Sequence, residues 1–299
     1  RCTDVSADQL PQLGNMGMVT AALWTDYDND GWIDLVVAGE FMPITFLKNN
    51  NGQFRNQKSE ILNSSGWWNS LVAGDFDNDG DMDFIAGNEG LNSRLMASYD
   101  QPVRMYFYDF DRNGKKEQVL TYYLDNKELP FANKSDLEKQ LPEMKKKFLY
   151  ARDFAKASLK EIFGADKLKK ADLFSTHYFS NAILINDGKM NFEVLPMPWE
   201  AQLTDYEPAT ILDINTDNLP DIILGGNYYS NNIQLGRYDA DFGSVLINKG
   251  KGNFKYEELN GIKITGEIRQ LQKIRLATGT DAYIVAKNND SLKVISTIQ

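Results

Sequence analysis

The chain's 299 residues are 42% apolar and 25% charged, which suits a soluble globular protein with a substantial core and excludes a disordered or fibrous chain. One cysteine, Cys2, and one histidine, His177, exclude an internal disulfide, a thiolate zinc centre and a two-histidine metal site. A net charge of −10 argues against a nucleic-acid partner, because phosphate neutralisation needs a basic face.

Taken in chain order, one pattern recurs: a short apolar run, an acidic turn and a second apolar run ending in glycine. Arg1–Ser6 reads as the outer strand of a preceding unit. The first copy, Ala21–Gly39, carries Asp26, Asp28, Asp30, Gly31, Trp32 and Asp34 in its turn. The second, Ser70–Gly87, carries Asp75, Asp77, Asp79, Gly80, Asp81 and Asp83. In the third, Arg104–Tyr122, the same positions hold Asp109, Asp111, Asn113, Gly114, Lys115 and Glu117. The fourth, Ala209–Gly226, holds Asp213, Asn215, Asp217, Asn218, Leu219 and Asp221, and a fifth, Glu267–Val294, keeps the strand pattern without the acidic turn.

The flanking runs are of strand length and rich in Val, Ile, Leu and aromatics. Turn-like segments at Asn49–Phe54, Asn186–Phe192 and Asn248–Phe254 close an outer hairpin in three units, giving four antiparallel strands each. The expectation is an all-β protein, a β-propeller of about five visible four-stranded blades. Only 34 residues separate Asp75 from Asp109, whereas 104 separate Asp109 from Asp213, so an insertion is expected in the third unit. Ser135–Glu138 has a capping-box pattern, Pro142 should interrupt the first helix, and Tyr150–Phe163 has near-helical spacing before Gly164. The expected organisation is propeller over 1–125, a helical insertion over 126–174 and propeller again over 175–299. From Lys134 to Asp172 there are ten lysines and one arginine against seven acids, leaving the remainder of the chain at −14. That remainder invites cations, while the basic stretch, its lysines interleaved with acids, reads as a solvated face or docking element.

The pattern Asp-x-Asp-x-Asp-Gly-x-x-Asp supplies oxygen ligands on alternate residues of a tight turn, a backbone carbonyl at position seven and a carboxylate at position nine. Hard divalent cations take such sets, and the sixth-position glycine permits the sharp bend. An EF-hand is excluded, because position twelve is Val37 or Ala86 inside a strand rather than a bidentate Glu. The alternative without metal is an Asp/Asn/Gly-rich hairpin turn. Up to four structural calcium ions are expected: the first two loops match the pattern at every acidic position, the third is flanked by Arg112, Lys115 and Lys116, and the fourth has two Asn substitutions.

These loops, set between Val/Ala-Gly strands, resemble the FG-GAP or VCBS repeats of integrin-α-type β-propellers. Gly17–Asp26, Gly66–Asp75 and Gly236–Asp239 are similar to segments of large proteins, mainly from Bacteroidota, related to cartilage acidic protein and often joined to an ASPIC/UnbV module. The resemblance implies export to the periplasm, outer-membrane surface or exterior, and a seven-bladed ring. Missing blades then lie in a longer parent or come from a partner, a compact five-bladed ring being the other solution. Cys2 is read as a plain thiol, since no lipobox precedes it.

In such propellers the face opposite the calcium loops usually engages partners. Here it would present Glu40, Trp67, Trp68, Asn88, Glu89, Asn92, Arg94, Asn227, Tyr228, Tyr229, Arg237 and Tyr238. The expected function is a non-catalytic, calcium-binding module engaging a protein or glycan at the cell surface, an outer-membrane assembly being among the expected partners. The second reading is a hydrolase or lyase acting on a polysaccharide through paired carboxylates such as Glu40 and Glu89.

Overall fold

A computed structural model describes residues 2–4, 6, 10–57, 64–259 and 261–296. Residues 2–4 form no strand, and Arg1 and Val5 lie outside the described residues.

The first sheet is an antiparallel meander of β1 (Met18–Thr25), β2 (Asp34–Met42), β3 (Thr45–Asn50) and β4 (Gln53–Gln57), with β5 (Gly66–Trp67) added to the far end of β2. Its register pairs Thr25 with Asp34 at one end and Met18 with Glu40 at the other, so the acidic loop and Glu40 sit at opposite ends of the strands. The second sheet opens with β6 (Ser70–Gly74) and β7 (Asp83–Gly87). The chain then leaves it to build a third sheet from β8 (Val103–Tyr108), β9 (Glu117–Leu124), β10 (Lys127–Pro130) and β11 (Asp172–Thr176), before β12 (Ala182–Asn186) and β13 (Phe192–Pro196) complete the second. The fourth sheet comprises β14 (Tyr206–Leu212), β15 (Asp221–Gly226), β16 (Ser244–Asn248) and β17 (Phe254–Glu258). The fifth, β18 (Ile268–Arg275), β19 (Asp281–Lys287) and β20 (Lys293–Ser296), has three strands among the described residues rather than four.

The insertion therefore falls one unit earlier than the spacing predicts. It is the third repeat itself, helices included, that interrupts the second sheet between β7 and β12, and residues 95–178 form a compact unit of their own. The short interval between Asp75 and Asp109 reflects this, since only half of the second sheet has been laid down when the third begins. The Asn186–Phe192 turn accordingly closes the outer hairpin of the second sheet.

Within the unit made of residues 1–94 and 179–299, successive sheets pack face to face, and β1, β6, β14 and β18 are neighbours in that order. Sheets covered on both faces read as continuous apolar runs, and β7, β15 and β16 are buried along their full length. Tyr27, Phe46, Phe84 and Phe192 fill the space between the first and second sheets, with Phe46 and Phe192 stacked at 4.3 Å. Phe76, Ile85, Ile183, Ile222 and Leu246 join the second to the fourth. Leu212, Ile223, Val245, Leu271 and Val285 join the fourth to the fifth. Gly87 is needed where strands meet closely: a Cβ there would lie 1.8 Å from the carbonyl oxygen of Tyr206.

The unit 95–178 covers its sheet with five short helices, α1 (Lys134–Gln140), α2 (Met144–Lys147), α3 (Ala151–Lys156), α4 (Leu159–Phe163) and α5 (Ala165–Lys170). Leu137, Leu141, Met144, Phe154, Ile162 and Phe163 form its core with Phe110 and Val119. Helix occupies 134–170, a narrower span than the expected 126–174, because β10 and β11 pair with β9 and β8 and belong to the sheet. The first helix is capped by Asn133, whose side chain accepts from the Asp136 N–H at 3.0 Å, not by Ser135. The capping box lies instead at Ser158 and Glu161, where Ser158 takes an extended conformation and splits Tyr150–Phe163 into two helices.

Candidate metal centres and the opposite pocket

Each acidic loop links the first two strands of its sheet in chain order, and all four are built by the same backbone bonds. The first acid accepts from the N–H groups of the fifth and sixth residues: Asp26 from Asp30 (3.1 Å) and Gly31 (2.9 Å), Asp75 from Asp79 (3.1 Å) and Gly80 (3.0 Å), Asp109 from Asn113 (3.0 Å) and Gly114 (2.9 Å), and Asp213 from Asp217 (3.2 Å) and Asn218 (3.0 Å). The side chain of the fifth residue, Asp30, Asp79, Asn113 or Asp217, accepts from the seventh, Trp32, Asp81, Lys115 or Leu219. The sixth residue is left-handed throughout, with φ of +88° at Gly31, +94° at Gly80 and +66° at Asn218, which explains why Asn replaces Gly there.

The ninth-position acid is anchored from two directions. Asp34, Asp83, Glu117 and Asp221 each accept from the N–H of the loop's second residue, Tyr27, Phe76, Phe110 or Ile214. In three sheets the other oxygen accepts from the backbone of an Asn at or next to the end of the third strand: Asn49 to Asp34 (2.7 Å), Asn186 to Asp83 (2.8 Å) and Asn248 to Asp221 (2.8 Å). These asparagines, which read as ordinary hairpin-turn sequence, hold the ninth-position acids in place. Asn186 and Asn248 also donate across to the preceding loop, to the carbonyls of Tyr27 (3.0 Å) and Phe76 (2.7 Å), tying one sheet's loop to the next. Their Asn-x-Gly signature was visible in the sequence, but the cross-sheet bond was not.

Three carboxylate groups bring ligand oxygens within 4.8 Å of one another: Asp26, Asp28 and Asp34; Asp75, Asp77 and Asp83; Asp109, Asp111 and Glu117. The fourth loop offers fewer acids to such a group, with Asn215 at the third position, its amide donating to Asp217 at 2.9 Å. Asp34 and Asp83 are wholly buried, and burial pushes both carboxyls up to about 6 despite their backbone donors. Asp77 is also raised, by burial and then by the charge of Asp79. A divalent cation fits this donor set: Asp28 Oδ1 and Asp77 Oδ1 are buried acceptors without a partner, and an ion held among them would satisfy both and stabilise the crowded charged forms. In the third loop the corresponding Asp111 already receives both donors of Asn113.

One neighbour escaped the sequence reading. The ammonium of Lys48, on β3, pairs with Asp28 and lies 2.9 Å from Asp30, and this hydrogen bonding holds the Asp30 carboxyl below its ordinary range.

At the other end of the strands, Glu40, Trp67, Trp68, Glu89 and Tyr228 line a cavity of about 570 Å³ together with Thr20, Asn69, Asp205, Glu207 and Ser230–Asn232. Glu89 receives the hydroxyl of Tyr238, which also reaches Ser93 at 3.0 Å. Trp68, Asn88 and Asn227 are buried and bonded within the fold, Trp68 through Nε1 to the Ser64 carbonyl (2.8 Å), Asn88 to the Asn181 side chain (2.7 Å) and Asn227 to the Asp241 carbonyl (2.7 Å). Asn92 donates to the Leu203 carbonyl at 3.1 Å, Tyr229 donates its N–H to Glu267 at 2.6 Å, and Arg237 stacks on the Tyr229 ring at 3.5 Å. Arg94 lies just beyond the cavity-lining Glu89 in the chain, with contacts of its own. Asp205 and Glu207 were not expected from the sequence, where they look like ordinary residues at a strand start.

A family model described as FG-GAP-like repeat matches residues 26–86, the segment running from the first acidic loop through the second, and supports an FG-GAP repeat protein. No curated protein matches the chain significantly. Among the described residues, no helix is long and apolar enough to cross a membrane.

Proposed function

We propose that the protein is a calcium-stabilised, non-catalytic β-propeller module of an exported bacterial protein, which engages a protein or glycan through the face opposite its acidic loops. The observation that carries the calcium reading is the pair of orphaned buried oxygens, Asp28 Oδ1 and Asp77 Oδ1, each inside a group of three acids whose first and ninth positions are held by backbone donors. Calcium would be held by Asp26, Asp28, Asp30 and Asp34 in the first loop and by Asp75, Asp77, Asp79 and Asp83 in the second, with the carbonyls of Trp32 and Asp81. The loops of 109–117 and 213–221 are weaker sites of the same kind. The ion's contribution is structural, offsetting carboxylate repulsion at the bend of each hairpin and coupling folding to metal. Sites of this class fill at about 10⁻⁴–10⁻³ M calcium, which favours an extracellular or periplasmic setting.

Thermal melting in millimolar calcium and in excess chelator tests this reading: calcium should raise the melting temperature by several degrees, and identical curves would refute it. The alternative, a polysaccharide hydrolase or lyase, draws support from Glu89 and Asp205, two carboxyls in one cavity that burial pushes up to about 7. Cleavage of an acidic or neutral polysaccharide panel that is abolished in Glu89→Gln would favour it.

A further inference from the structure

The helical unit carries a charge that neither the acidic loops nor the opposite pocket uses. Between Lys134 and Asp172 the surplus is +4, and all of it sits in Lys145–Arg152, where Lys145, Lys146, Lys147 and Arg152 occur without an acid; the remaining seven lysines and seven acids of the stretch balance. Outside that segment Lys134 pairs with Glu138, Lys139 with Asp136 at 2.9 Å and Lys167 with Glu143 at 3.5 Å. Lys145 and Lys146 are exposed and have no ion-pair partner among the described residues.

The backbone sets apolar side chains in the middle of this charge. Met144 is buried and holds α2 to the core of the unit, and Phe148, extended just past α2, packs against Phe154 at 5.6 Å. Side chains alternate in direction along extended backbone, so with Phe148 turned inward Leu149 is turned out. Leu149 is 75% exposed, and Tyr150, also extended ahead of α3, is 54% exposed. Neither belongs to the core cluster. Lys147 ties the corner to α4 by donating to the Ile162 carbonyl at 2.8 Å, and Arg152 lies over the Tyr150 ring at 5.0 Å, with Asp153 3.6 Å away.

Two large apolar side chains protruding from a corner between short helices, beside two unpaired ammonium groups, suit an anionic lipid surface. A protein partner would have to offer a pocket shaped for Leu149, whereas a bilayer interface takes any protruding apolar chain, seats Tyr at headgroup depth and attracts dispersed ammonium groups. The complementarity is local, because a chain of net charge −10 is repelled by such a surface as a whole and can meet it only through a concentrated surplus.

We infer that Lys145–Arg152 is a membrane-docking corner, which sets Leu149 and Tyr150 into the interface of an anionic phospholipid bilayer with Lys145 and Lys146 against the phosphates. The contact is peripheral. It rests neither on calcium in the loops nor on a ligand in the opposite pocket.

Co-sedimentation of the full chain with vesicles of phosphatidylcholine, and of phosphatidylcholine mixed with phosphatidylglycerol, tests it. Binding to the mixed vesicles alone is expected, weakening as salt rises. Lys145→Gln combined with Lys146→Gln should weaken it by about twenty-fivefold, at roughly fivefold per lysine, and Leu149→Ser by severalfold. All three positions are exposed, so folding is not at issue. The same charge change on α5, Lys169→Gln with Lys170→Gln, lies where acids balance the lysines and should cost far less. No binding to the mixed vesicles would overturn the inference and leave an acidic protein as the occupant. A loss as large in the α5 pair, or none in Leu149→Ser, would reduce the contact to overall charge and overturn it too. Melting in calcium is independent of all these outcomes, so the proposed scaffold role stands or falls separately.

Discussion

The first and second acidic loops share four aspartate positions, the same backbone bonds and the same orphaned oxygen, yet differ in one neighbour. Before Asn186 stands Ile185, a partly buried apolar residue; before Asn49 stands Lys48, whose ammonium pairs with Asp28 and Asp30. The first loop thus carries an internal cation where the second has none. A motif that looks equally strong twice is not equally available twice, because the third strand, remote from the motif in sequence, decides what charge enters the ring.

The largest expected effect comes from the ninth-position acid of the second loop. Asp83→Ala removes the acceptor for two buried N–H groups, those of Phe76 (2.7 Å) and Asn186 (2.8 Å), along with a metal ligand. It should lower stability by about 2–5 kcal/mol in urea unfolding and abolish calcium binding at that loop. Next, Asn186→Ala and Asn248→Ala should each cost about 1–2 kcal/mol more than Asn49→Ala. The first two break bonds to the Tyr27 and Phe76 carbonyls of the preceding sheet, whereas Asn49 Nδ2 donates only within its own sheet, to Ile33 (2.9 Å). Equal losses at the three positions would show that the cross-sheet bonds carry no stability.

Lys48→Gln sharpens the comparison of the two loops directly. Removing the internal cation should tighten calcium binding at the first loop by about tenfold, read from a binding isotherm, and leave the second unchanged. In chelator the same variant should be the less stable, since Asp28 and Asp30 then face each other unpaired.

The smallest effect is a pH dependence from the opposite pocket. Glu89 and Asp205, facing Glu40, Glu207, Arg269 and Tyr238, have folded values of about 7, above those of an unfolded chain. Their contribution to stability is therefore fully present below about pH 4 and lost as pH rises through 7. Asp205→Asn should flatten the fall in urea midpoint between pH 6 and pH 8; an unchanged slope would place the titration elsewhere.

Much of the strand order was legible, because alternating short apolar runs and acidic turns are local signals, as are the Asn- and Gly-containing turns that begin at Asn49, Asn186 and Asn248. The nesting of one sheet inside another was not, because β12 carries no mark saying that its partner is β7, nearly a hundred residues earlier; the compressed interval between Asp75 and Asp109 was the only trace. The helix start at Asn133 was missed for a related reason. Asn133, Ser135 and Ser158 are all competent caps, and packing of Leu137 and Phe154 into the core selects which are used.

What the sequence determined by itself is the readiness of the loops for a cation. The first and fifth residues of each loop are fixed by local bonds and the left-handed sixth needs only Gly or Asn, whereas the ninth-position acid also needs the third-strand asparagine. The tertiary structure alone decided how those charges are answered and where others gather: Lys48 reaches the first ring from a separate strand, and Glu40, Glu89 and Asp205 meet only because three sheets pack side by side. Electrostatic partnership depends on distance in space, which a one-dimensional pattern does not contain.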